Sequence, residues 1–174
     1  SLKHSLRDVS DKISGNPGVE IEFPNSLGEL EKFSVWENSN FAPELQAQFP
    51  EIRAYIGIGI EDKTARINFS LSPDGIQTVV FRADSGTEFI EPFTKDHAVY
   101  VFFDSRTRNT TRLPFNCGTI EQRLSDDLLN ESAIANRADN QTYKTMRLAL
   151  SCTGEYGAYF GGTIAGALAG MNAT

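Results

Sequence analysis

The feature that most constrains the fold of this chain is a two-residue alternation of apolar and polar side chains between residues 19 and 103. The segment Val19-Glu-Ile-Glu-Phe23 alternates strictly, and Lys32-Phe-Ser-Val-Trp36 repeats the pattern. Successive side chains of a β-strand point to opposite faces, so this period predicts strands with one buried face. Four further segments have the composition of strands: 66–71, 76–81, 87–91 and 98–103.

Short turn signals separate these segments. Ser72-Pro-Asp-Gly75 predicts a tight connection and therefore an antiparallel hairpin of its two flanking strands. Strands at this spacing are typical of an antiparallel sheet folded into a sandwich or half-barrel, and the expected class is α+β, mainly β. Gly57 and Gly59 predict a bulge or a tight bend within a strand.

Helical signals are few. Ala42–Phe49 has proline and glutamate in its first turn and is followed by Pro50, which predicts one short helix. Near the end of the chain, Met146–Leu150 predicts a buried strand and Thr163–Met171 a helix of small residues. That helix contains Gly166 and Gly170, so it requires a packed neighbour for stability.

The composition of the chain limits which kinds of partner are expected. Its 174 residues, 40% of them hydrophobic, suffice for one proper core. The net charge of -7 argues against nucleic acid as a partner, because phosphate binding needs clustered lysine and arginine. No apolar stretch approaches the 18 or so residues of a membrane-spanning helix, so no membrane partner is expected either.

One cysteine lies in a distinctive setting, Pro114-Phe-Asn-Cys117-Gly118. Proline fixes φ before the cysteine and glycine permits a close backbone approach after it, so an extended segment can present the thiol to a groove. A thiolate presented in this way can ligate a metal. The only other cysteine, Cys152, leaves open a Cys117–Cys152 disulfide or two separate thiols.

The motif resembles the inhibitory Pro-x-x-Cys-Gly switch in propeptides of reprolysin- and ADAM-type zinc metallopeptidases, which belong to the metzincins. Two further regions look like secreted bacterial members of this group. The first is Val35-Trp-Glu-Asn-Ser39 with 42–52 and 55–62, similar to their propeptides. The second is 143–156 with 161–174, similar to the first strand and helix of their catalytic domain, in which a Thr-Gly-Glu-Tyr-like segment ends the strand.

The resemblance implies the front part of a secreted zymogen. Residues 1–104 would form a β-rich propeptide domain, 105–142 a connector with the switch loop and the processing region, and 143–174 the beginning of the peptidase domain. In the precursor Cys117 would bind the catalytic zinc of the parent enzyme, whose catalytic domain is then the expected partner. The polar start without methionine fits a chain that was cut from a longer precursor or shortened artificially.

The catalytic motif of the family does not occur in these 174 residues. A metzincin needs His-Glu-x-x-His-x-x-Gly-x-x-His, whereas this sequence contains only His4 and His97. We therefore expect that the segment binds no zinc on its own and hydrolyses no peptide bond. The acidic pairs Glu61-Asp62 and Asp126-Asp127 are interpreted as solvated surface groups, because no basic partner can be named for them.

A second function class stays open. A mainly antiparallel β domain is also typical of non-catalytic modules that bind carbohydrate or a partner protein. In that case exposed aromatic side chains would carry the binding, and Trp36, Tyr55 and Tyr100 are the candidates.

Overall fold

Seven antiparallel strands form the body of the protein in the computed structural model, which describes residues 2–7, 9–83, 86–107 and 148–173. The strands are β1 (Val19–Pro24), β2 (Leu30–Glu37), β3 (Arg53–Gly59), β4 (Arg66–Ser72), β5 (Gly75–Phe81), β6 (Glu88–Pro92) and β7 (Tyr100–Asp104). Each strand pairs with the next one along the chain, so the order across the sheet is the order in the sequence.

The prediction of a mainly β, antiparallel fold is confirmed, in its half-barrel form. In the described ranges all seven strands belong to one curled sheet. The six strands predicted from their pattern and composition are present with boundaries shifted by a few residues, and β3 adds the seventh. The domain boundaries remain a prediction, because most of the proposed connector lies outside the described residues.

The register assigns the core to one face of the sheet, which we call the inner face. Val35 of β2 lies opposite Gly57 of β3, and Gly57 lies opposite Ile67 of β4. Alternate residues of each strand therefore contribute to one cluster, to which Leu6 and Val9 also belong. Leu6 follows helix α1 (Leu2–Ser5), so the N-terminal segment packs against this inner face.

The turn between β4 and β5 has the tight geometry that the segment 72–75 predicted. Ser72 pairs with Gly75, which leaves only Pro73 and Asp74 in the connection. Gly75 has φ of 102°, a value that side chains with a Cβ rarely adopt. The Asp74 amide donates to the Ser72 hydroxyl over 3.1 Å. The predicted hairpin is confirmed.

Gly57 does not form the predicted bulge or bend. Pairing runs through Gly57 without interruption on both sides of β3. A Cβ built at Gly57 would lie 2.7 Å from Ile67 Cγ2 and 3.0 Å from Val35 Cγ2. A glycine is required at this position because side chains of the neighbouring strands fill the space that a Cβ would occupy. Gly59, in contrast, ends the strand, and its amide donates to the Ala65 carbonyl across the following loop over 3.1 Å.

The remaining helices are short. Helix α2 (Pro43–Gln48) confirms the prediction for 42–49, with proline in its first turn. Near the C-terminus lie α3 (Gly154–Tyr159) and α4 (Ile164–Ala173), the second of which was predicted as 163–171. None of the helices in the described part of the chain has the length and apolarity that a membrane crossing requires.

The predicted strand at 146–150 is wrong for its described part. Leu148–Leu150 lie outside any strand, and the Leu148 side chain is 79% exposed. The Thr153–Tyr156 segment, expected to end this strand, instead begins α3, because the Thr153 hydroxyl accepts a hydrogen bond from the Tyr156 amide over 3.3 Å. A threonine in this position is a common helix N-cap, and this local signal outweighed the expected strand.

Candidate functional site

The residues of the proposed switch loop, Pro114, Cys117 and Gly118, lie outside the described residues. The second cysteine, Cys152, is an exposed free cysteine. No group of three or more histidine, cysteine, aspartate or glutamate side chains that could hold a metal ion occurs within 2–7, 9–83, 86–107 and 148–173. The two histidines belong to different elements, since His4 lies in α1 and His97 lies in the turn before β7.

A contact between the C-terminal helix and the sheet is the first notable site. Helix α4 packs against β3 and β4 on the face opposite the core, which we call the outer face. The Asn172 side chain is almost fully buried there. Its amide donates to the Arg53 carbonyl over 3.1 Å, and its oxygen accepts from the Asn40 amide over the same distance. This side chain thus ties the helix to the beginning of β3.

The small residues of α4 permit a second contact. A Cβ built at Gly170 would lie within 2.8 Å of three ring atoms of Phe160, the residue that follows α3. The sequence predicted that this helix requires a packed neighbour. In the structure it has two, the sheet and the Phe160 ring. Both contacts lie within one compact unit, which comprises residues 1–108 and 152–174.

Removing the Asn172 side chain should loosen α4 from the sheet. Asn172→Ala removes both hydrogen bonds and leaves the Arg53 carbonyl without this partner, which costs about 1 to 3 kcal/mol for a group shielded from water. We expect faster amide hydrogen exchange across 164–173 with little change in β4. Asn40→Ala is the matched control, because it removes only the exposed end of the pair and should have a smaller effect. Equal exchange in both variants and the parent chain would contradict this role.

Next to α4 the outer face contains a cleft of about 820 Å³. Its polar lining includes the side chains of Asn68 and Gln77, and its apolar lining includes Phe81 and Phe89. Phe81 is 46% exposed, and Phe89 stacks on Phe103 with ring centroids 5.0 Å apart. The lining also includes Glu91, so the cleft combines amides and phenyl rings with one carboxylate. Such a set of groups is suited to an uncharged polar ligand whose hydroxyl groups donate hydrogen bonds.

Of the three aromatic residues proposed from the sequence as binding groups, Tyr100 is exposed as expected, at 38%, and Trp36 is partly buried. Neither of these two lines the cleft. Tyr55 is not exposed as expected. It lies on the inner face, 4% exposed, and stacks on Phe69. The Trp36 indole donates to the Asn16 carbonyl over 2.8 Å, and the Tyr100 hydroxyl lies 3.4 Å from the Ile76 amide. The sequence analysis did not identify Phe81 and Phe89, which line the cleft on the outer face.

At one end of the inner face lies a charged cluster around Arg82. Its guanidinium makes two hydrogen bonds to Glu31, of 2.5 and 3.2 Å, and one of 2.9 Å to Glu88. The Asp62 carboxylate is 3.5 Å away. The side chains of Arg82 and Glu88 are only 15% and 4% exposed. The hydrogen bond to Glu31 is the main cause that raises the Arg82 pKa above its ordinary value.

This cluster corrects the interpretation of Asp62 as a purely solvated acid. Arg82 is the basic partner that the sequence did not identify, and it lies 20 residues further along the chain. The Thr64 hydroxyl and amide also donate to the Asp62 carboxylate, over 2.6 and 2.9 Å, and these bonds lower the Asp62 pKa. The second acidic pair, Asp126-Asp127, lies outside the described residues.

The opposite end of the inner face contains a cavity of about 420 Å³. Arg7, Arg53 and Tyr55 contribute polar groups to its lining, and Leu6 and Leu71 contribute apolar ones. Burial raises the Tyr55 pKa above its ordinary value, and the nearby Glu37 carboxylate acts in the same direction. The phenol is therefore a neutral hydrogen-bond donor over a wide pH range.

Comparison of the chain with protein families, with curated proteins and with solved structures finds no match.

Proposed function

We propose that this chain is the front part of a secreted bacterial metallopeptidase zymogen, in which the β domain acts as an inhibitory and folding-assisting propeptide. The observation that carries the proposal is the contact between α4 and the outer face of the sheet. The resemblance assigns the helix to the peptidase and the sheet to the propeptide. Their contact through Asn172 is what a propeptide that supports the folding of its enzyme requires.

The described residues themselves do not form a zinc site. They provide no set of three ligands, and the zinc of the proposed enzyme would be held by a histidine motif outside this sequence. The contribution of this chain is then a single thiolate, from Cys117. Its role would be to occupy the position at which water otherwise binds, and so to keep the precursor inactive.

Replacing Cys117 with serine in the precursor tests the proposal. Cys117→Ser should give a folded precursor that cleaves casein before processing, because a neutral hydroxyl is a much poorer zinc ligand than a thiolate. Cys152→Ser is the matched control and should stay latent. The 174-residue chain alone should cleave nothing.

Thiol titration separates this idea from a Cys117–Cys152 disulfide. The switch requires two free thiols in the precursor, one of them protected until the zinc is chelated. With a disulfide no thiol reacts, and both serine variants lose stability without gaining activity. Either that pattern or full latency of Cys117→Ser would refute the inhibitory role.

A non-catalytic binding module is the second candidate. The cleft on the outer face favours it, since amide side chains and phenyl rings together suit the hydroxyl groups and apolar faces of a carbohydrate. Retention of the chain on immobilised polysaccharide that is lost in Phe89→Ala, but retained in Phe93→Ala at an exposed position beyond β6, would support this candidate over the first.

A further inference from the structure

We propose that the cavity beside Tyr55 binds a small carboxylic acid with a branched apolar chain. The Tyr55 hydroxyl and the Arg7 guanidinium would hold the carboxylate, and leucine and proline side chains would surround the chain. This site is independent of the proposed inhibitory role, because it uses neither Cys117 nor the contact of α4.

The position of Tyr55 is the first argument. Its ring stacks on Phe69 with centroids 4.9 Å apart and an angle of 16° between the planes, so the phenol direction is fixed. The residue is only 4% exposed, and alternation along β3 directs its side chain to the inner face, where it lines the cavity. No described residue forms a hydrogen bond with its hydroxyl. The hydroxyl is not among the buried polar atoms that lack a partner, so it lies at an accessible wall of the cavity, where it can donate to an acceptor atom of a ligand.

The distribution of charge is the second argument. Arg53 Nη1 donates to both oxygens of Glu37, over 2.7 and 2.9 Å, and Nε donates to the Pro50 carbonyl over 2.9 Å. Arg53 is thus already paired. The Arg7 guanidinium has no hydrogen bond or ion pair with a described residue. The other charged group of the lining, Glu51, is exposed to solvent. Among the described residues, Arg7 is therefore the cation of this lining that has no such partner, and its guanidinium can bind an anionic group.

Size and lining define the rest of the ligand. A volume of about 420 Å³ lies in the range of small-molecule pockets. The apolar walls are formed by Leu6, Pro50, Leu71 and Pro73, and Ser72 and Tyr55 are the uncharged polar residues of the lining. A planar guanidinium matches the two oxygens of a carboxylate, and a phenol donates one more hydrogen bond to them. A short branched aliphatic acid fits the volume, the apolar walls and the hydrogen-bond donors of this cavity.

Titration of the isotopically labelled, full 174-residue chain with isovalerate tests the proposal by NMR. We expect saturable shifts of the Tyr55 and Leu71 amides. Isovaleramide, which has the same shape without the charge, should bind at least about tenfold more weakly, as expected for hydrogen bonds to a charged group. N-acetyl-leucine serves as a mimic of a peptide C-terminus. Tighter binding of this compound than of isovalerate would identify a peptide end as the ligand, and the reverse would identify a free acid.

Two variants locate the site. Arg7→Gln and Tyr55→Phe should each weaken isovalerate binding about tenfold. Lys63→Gln and Tyr159→Phe, which change an exposed cation and an exposed phenol elsewhere, should leave it unchanged. Arg7 is itself exposed, so its variant should fold normally. The proposal is overturned by the absence of saturable shifts, by equal affinity for acid and amide, or by unchanged affinity in folded Arg7→Gln.

Discussion

Replacing Arg82 with glutamine should destabilise the β domain by about 3 to 5 kcal/mol, the typical cost of removing one partner from a buried ion pair. The variant leaves Glu31 and Glu88 close together at the end of the inner face without their shared cation. Two nearby buried carboxylates repel each other and cannot regain water without opening the sheet. Urea denaturation of parent and variant measures the loss.

The cause of this loss can be separated from a mere change of packing. Removing one of the acids as well, in Arg82→Gln with Glu88→Gln, should restore part of the stability, because fewer charges are then left unpaired. Arg66→Gln is the control at an exposed arginine, whose guanidinium donates to the backbone carbonyls of Lys63 and Ala65 in the described part of the chain. Equal losses in Arg66→Gln and Arg82→Gln would contradict the proposed role of the cluster.

A side chain introduced at Gly57, in the middle of the sheet, should lower the stability of the protein. Gly57→Ala should cost about 1 to 3 kcal/mol, and Gly57→Val about 3 kcal/mol or more, because the added atoms overlap with Ile67 and Val35 in a close-packed core. Strand propensity alone predicts the opposite, since valine favours strands and glycine does not. Thermal unfolding of the two variants decides between the two effects.

The control for Gly57 is a glycine with free space around it. Gly157 lies in α3, and apart from its own helix no atom of the described residues lies within 4 Å of a Cβ built there. Gly157→Ala should therefore be neutral or stabilise the protein by up to about 1 kcal/mol, as expected for alanine in a helix. Stabilisation by Gly57→Val would show that the space above β3 is not filled as described.

The strands were predictable where one face of the sheet is polar. In β1, glutamates alternate with Val19, Ile21 and Phe23, so the pattern itself identifies the buried side. In β3 this signal is lost, because Tyr55, Ile56 and their neighbours are apolar on both faces. The core covers one side, and α4 contacts the other. Without a polar face, the sequence could not show that Tyr55 is buried or that Gly57 provides space for neighbouring side chains.

The charged cluster and the cavity could not be predicted from the sequence, for a different reason. Glu31, Asp62, Arg82 and Glu88 come from four separate segments, and only the register of the strands brings them together. Arg7 and Tyr55 are likewise 48 positions apart. Local patterns report which face of a strand is buried, whereas contacts of this kind depend on the curvature of the sheet and on where the N-terminal segment packs.

The sequential order of the strands has a consequence for how the protein forms during synthesis. Since each strand pairs with its immediate neighbour in the chain, every pairing closes a loop that is short in sequence, and low contact order favours rapid folding. Hairpins can therefore add one after another as the polypeptide leaves the ribosome, and N-terminal domains generally fold first. A finished sheet would already present its outer face when α4 emerges, so the helix would meet a surface ready to receive Asn172.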